Sequence, residues 1–158
     1  MNKKISEAIL DVLKYSVAAY IIVKILAFSY IFAHNIVEIE QWSYLRIWSA
    51  FGEEVNDYHI FLIYGPVIET IIFCVILSSI LTRFFSSKWV FIVLSASMLS
   101  ALHLLSEGTG YFTFMYTSSL GFLFAFIYWK YKEKYSSDIA FLITTIIHSF
   151  YNLLASIA

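Results

Sequence analysis

IFLIYGPVIETIIFCVILSSILT, residues 60–82, carries a single charged side chain, Glu69, in a run long enough to cross a bilayer, which takes about 20 mostly apolar residues. Four further stretches have the same character: 15–34, 89–106, 112–129 and 138–157. The 158-residue chain is 61% hydrophobic and only 13% charged, with a mean hydropathy of +0.80. A soluble domain needs roughly a quarter of its residues charged, so lipid must cover much of this surface. Fifteen Phe, twelve Tyr and four Trp add side chains that favour membrane interfaces. The expected fold is all-α: a polytopic bundle of about five transmembrane helices in one integral membrane domain, 1–158, with its motif-bearing core at about 60–158.

Between the first two runs, Ile39, Trp42, Leu45 and Trp48 recur every three residues, which predicts a short helix lying in the interface. The start, MNKKISEAILDVLK, mixes acids and bases and is followed by no small-residue cleavage site. It reads as a first membrane anchor rather than a removed signal peptide. Ten basic residues against eleven acidic ones leave no basic surface for nucleic acid.

Basic residues set the expected topology. With the N-terminus in the cytoplasm, Lys3, Lys4, Lys14, Arg83, Lys88, Lys130, Lys132 and Lys134 fall inside and only Arg46 outside. This predicts a multi-pass plasma-membrane protein with an external C-terminus.

Ionisable groups inside membrane helices are costly and point to function. Here they are Lys24, Glu69, His103 and His148, with the Asn152 amide beside them. At 1.5 Å per helical residue, Glu69 lies about 21 Å from Arg83 and His103 about 22 Å from Lys88. His148 and Asn152 lie about 15 and 21 Å beyond Asp138. Three helices thus bring a carboxylate, an imidazole and an imidazole–amide pair to one depth. His148 and Asn152, four apart, share a helix face. Pro66, one turn before Glu69, removes a backbone hydrogen bond and loosens its helix.

A carboxylate in such a site can take a proton from water as a general base. An imidazole and an amide N–H can stabilise an oxyanion where water is scarce. Together these describe amide hydrolysis. Two other readings stand beside it. The polar groups could pair only to hold helices together, or two histidines and a carboxylate could ligate zinc, although the helical H-E-x-x-H spacing is absent. Lone Cys74, in an apolar run, reads as a small buried hydrophobe. Glu53 and Glu54 read as a solvated acidic loop.

Segments 65–74 (GPVIETIIFC), 99–103 (LSALH) and 148–152 (HSFYN) resemble the three motifs of the CAAX protease and bacteriocin-processing family, glutamic intramembrane proteases also called the Abi or type II CAAX prenyl endopeptidase family. Its motifs typically read A-P-x-x-E-E-x-x-x-R, F-x-x-x-H and H-x-x-x-N. The resemblance implies that Glu69 and His103 activate water and that His148 and Asn152 stabilise the oxyanion, with no metal or other cofactor. Thr70 stands at the position of the second glutamate, Cys74 at that of the arginine and Leu99 at that of the phenylalanine. Lys24, at a depth of about 15 Å, either replaces the missing cation beside Glu69 or snorkels to an interface.

The expected function is an endopeptidase cutting a membrane-associated protein near a hydrophobic or C-terminal sorting segment, with lipid as the surrounding partner. The alternative is a non-catalytic membrane binding or immunity protein on the same scaffold.

Overall fold

The computed structural model describes residues 3–34, 60–107 and 111–156. Among them every regular element is helical. In chain order these are α1 (Lys3–His34), α2 (60–81), α3 (Lys88–Glu107), α4 (Tyr111–Lys134) and α5 (Ser137–Ser156). The predicted interfacial helix, the acidic pair Glu53–Glu54 and Arg46 lie outside the described residues.

All five apolar runs coincide with helices. Three of these, over Leu62–Leu81, Lys88–Leu105 and Ser137–Ala155, are long and apolar enough to cross a membrane. α1 carries Glu7, Asp11, Lys14 and Lys24 along its length. α4 is rich in tyrosine and hydroxyl residues and sits at the centre of the bundle, with Phe114, Met115 and Phe122 still exposed. Leu120, Phe124, Ala125, Ile127, Tyr128 and Tyr131 of α4 make up much of the buried core.

α2 is not a regular α-helix. It runs as π-helix over Ile60–Tyr64, α-helix over Gly65–Glu69, π-helix over Thr70–Ile76 and α-helix over Leu77–Leu81. Pro66 has no N–H to offer the carbonyl four residues back, and the backbone widens on both sides of the short α segment it begins. Irregular backbone at membrane depth persists only where protein satisfies it. Ser95 of α3 does so here, donating from Oγ to the Phe73 carbonyl at 2.7 Å.

α3 and α4 pack most closely. An added Cβ on Gly121 would lie 2.9 Å from the Cα of Ala96, so only glycine permits this approach. α4 ends with Lys132 and Lys134 in its last turn, where cations meet the negative end of the helix dipole. The Ser136 hydroxyl accepts from the Ile139 N–H at 3.3 Å and caps α5.

α1 lies chiefly against α5 and then α4. Its Ser16, fully buried, donates to the Ile147 carbonyl at 3.3 Å. Near its start, Asp11 accepts from Tyr131 and pairs with Lys130 at 3.1 Å, while Lys130 also donates to the Tyr15 hydroxyl at 2.9 Å. Burial pushes the Asp11 carboxyl up, but the Tyr131 hydroxyl and the Lys130 ammonium outweigh it and leave it below the usual value. The first turns of α1 therefore share one lysine-rich end of the bundle with the α4–α5 junction.

Candidate active site

Glu69 ends the α segment between the two π stretches, so its position follows from the irregularity around Pro66. His103 comes from the last turns of α3 and His148 from the middle of α5. The three meet. His103 Nε2 is 3.7 Å from Oε1 of Glu69, and His148 Nε2 is 3.7 Å from Oε2. Each carboxylate oxygen thus faces its own imidazole, at a separation longer than a direct N–H···O hydrogen bond.

The two histidines differ in surroundings. The His103 side chain is 27% exposed and that of His148 only 9%. The site is therefore open on the α3 side and closed on the α5 side. The His148 imidazole stacks on the Phe124 ring, with centroids 4.3 Å apart and planes at 27°. This contact holds its plane from α4.

A recess of about 230 Å³, open to solvent, runs inward from the carboxylate. Glu69, Thr70 and Cys74 of α2, Ser95 and Leu99 of α3, and Gly121, Phe124 and His148 line it, together with Phe73. Its clear interior holds about one water. His103 reaches Glu69 from outside this wall. A carboxylate bracketed by two imidazoles beside a water-sized space can exchange protons with that water.

Asn152 is buried one turn beyond His148, on the same face of α5, and is not part of the recess wall. Thr70 is buried in that wall. Lys24 is exposed on α1, its ammonium 5.3 Å from the centroid of the Tyr20 ring. Among the described residues Glu69 pairs with His103 and His148, and the structure does not bring Lys24 to it. Nor, among the described residues, are three His, Cys, Asp or Glu side chains grouped to hold a metal ion.

Sequence reasoning did not single out Phe124, Ser95 or Gly121. Gly121 left one signal, a lone glycine inside an aromatic helix that marks a close approach. Phe124 left none, being one of fifteen phenylalanines.

A family model described as type II CAAX prenyl endopeptidase, Rce1-like, matches residues 47–154. That span includes Glu69, His103, His148 and Asn152 and leaves α1 outside. No curated protein and no solved structure matches the chain.

Proposed function

The chain belongs to the Rce1-like, type II CAAX prenyl endopeptidase family of membrane peptidases, and we propose that it is a metal-independent glutamic endopeptidase of the plasma membrane. Glu69 takes a proton from a water in the recess, and the hydroxide attacks the scissile carbonyl carbon. His103 shares that proton and passes it to the leaving amine. His148 and Asn152 stabilise the oxyanion. The observation that carries this reading is the bracketing of one carboxylate by two imidazoles from separate helices, 3.7 Å on each side.

The substrate is a protein with a hydrophobic or C-terminal sorting segment. His103 lies about 22 Å along α3 from Lys88, so the site is remote from the lysine-rich end. With that end cytoplasmic and the C-terminus external, the site falls in the outer half of the membrane. Prenylated proteins of the cytoplasm fit that position less well.

A second reading, a non-catalytic peptide-binding protein, is favoured by Thr70 and Cys74, which stand where the family motif carries glutamate and arginine. An in-cell cleavage assay separates the two. Under the peptidase reading, Glu69→Ala and His103→Ala abolish cleavage while the protein still accumulates in the membrane. Equal cleavage by wild type and both variants refutes it.

A further inference from the structure

Tyr151 follows His148 by three residues on α5, so the two side chains leave the helix about 60° apart around its axis and about 4.5 Å apart along it. One ring of α4 sits against both. Phe124 stacks on the His148 imidazole with centroids 4.3 Å apart, and the Tyr151 ring meets Phe124 edge-on, at 6.4 Å and 65°. Tyr151 is buried, with 2% of its surface exposed, and its hydroxyl donates to the Tyr116 hydroxyl at 3.1 Å. Tyr116 belongs to α4 as Phe124 does, eight residues earlier and thus about 12 Å away along that helix.

α4 therefore holds α5 at two points, a ring face at Phe124 and a hydroxyl at Tyr116. The stack by itself fixes the plane of the imidazole but not its place, because two flat faces can slide over each other as α5 turns about its axis. The second point removes that freedom. Turning α5 would draw Tyr151 away from Tyr116 and leave a buried hydroxyl without its partner, which is costly.

We propose that Tyr151, held by Tyr116, is a positioning residue for His148. It fixes the rotation of α5 so that Nε2 of the imidazole keeps its place 3.7 Å from Oε2 of Glu69. The effect on cleavage rests on the peptidase reading, in which His148 stabilises the oxyanion; the effect on the imidazole does not. Small displacements of a reacting group are expensive in rate, so one hydroxyl distant from the carboxylate can be felt there.

The test is read in two ways on the purified full-length protein in detergent micelles. With isotope-labelled histidine, the His148 ring protons, identified by their loss in His148→Gln, should resonate upfield, because the stacked Phe124 ring shields them. Tyr151→Phe keeps the ring and removes only the hydroxyl, and it should move these signals back downfield. It should also lower kcat on fluorescein-labelled casein about fivefold with KM unchanged, the size of one hydrogen bond. Tyr116→Phe should reproduce both changes, and the double variant should add nothing further. Tyr128→Phe removes a different buried contact of α4, the one with Ser78 at 3.4 Å. It should lower the thermal midpoint but leave kcat and the ring signals as in wild type. Ring signals unmoved in Tyr151→Phe overturn the proposal, as does an equal fall of kcat in Tyr128→Phe, which would reduce the effect to lost stability. If wild type and Glu69→Ala act on casein alike, that failure belongs to the peptidase reading, and the ring signals alone decide the role of Tyr151.

Discussion

His148 lies against Phe124 with ring centroids 4.3 Å apart and planes at 27°, so a side chain of α4 sets the plane of an imidazole carried by α5. Phe124 itself does no chemistry in the proposed reaction. Phe124→Leu keeps much of the bulk but loses the flat surface. Proteolysis should fall on the order of tenfold, as expected when a reacting group is held loosely. Phe124→Ala should in addition cost about 3 kcal/mol or more of stability. Activity and thermal unfolding of the same two proteins check this. A Phe124→Leu protein as active as wild type would show that stacking does not orient His148.

Gly121 offers a test of helix spacing. Its Cβ would sit 2.9 Å from the Cα of Ala96 and 3.2 Å from Cδ2 of Leu99. The Ala96 backbone cannot yield locally, so Gly121→Ala should push α3 from α4 at a cost of about 1–3 kcal/mol. Because Leu99 lies one turn before His103, the separation between His103 and Glu69 should change with it. The expected result is a lower midpoint of thermal unfolding and a loss of activity larger than partial unfolding explains.

The contact between α1 and α4 should depend on pH at both ends of the scale. Asp11 is held below its ordinary value of 3.8, so its contribution is present above that value and is lost as pH falls through the lowered one. For Lys130 burial acts downward, but the Tyr15 hydroxyl and the Asp11 carboxylate prevail and raise it above 10.5. Its contribution is present below that value and is lost as pH rises through the raised one. Asp11→Asn should therefore destabilise the protein by a constant amount between about pH 5 and pH 9 and by less below about pH 4. The effect should be modest, since the pair is a quarter to a third exposed and screened by solvent. Thermal unfolding of both proteins across pH reads it directly.

Chelation separates the proposed chemistry from a zinc mechanism. Under the carboxylate–water reading, cleavage by the purified protein is unchanged by excess chelator, and added zinc gives no stimulation. Loss of activity in chelator with recovery on metal return would assign Glu69, His103 and His148 to ligand roles instead.

The meeting of Glu69, His103 and His148 was legible before any coordinates, because helical rise turns sequence distance into depth and each residue had a charged landmark from which to count. What depth cannot give is rotation about the helix axis. Lys24 has a suitable depth, yet α1 turns it outward to lie near Tyr20. The run 112–129 has the same apolar character as the others, yet α4 is the centre of the bundle. Its Thr117, Tyr128 and Tyr131 are covered by protein, which a hydropathy average does not distinguish from lipid. The docking of α1 along α5 through Ser16 left no periodic trace, since one buried serine among apolar residues has no pattern to detect.

The two π stretches around Glu69 have a consequence for how the chain can change length. A π turn closes its hydrogen bonds over one more residue than an α turn, so each stretch stores surplus chain without putting the flanking segments out of phase. Removing one residue from α3 would swing everything beyond it by about 100° and carry His103 away from the carboxylate. Removing the exposed Ile72 from Thr70–Ile76 would instead let a wide turn relax toward an ordinary one, with Glu69 and Ser78 still on their present sides. Among the described helices, the one that bears Glu69 is thus the best able to absorb a single-residue deletion.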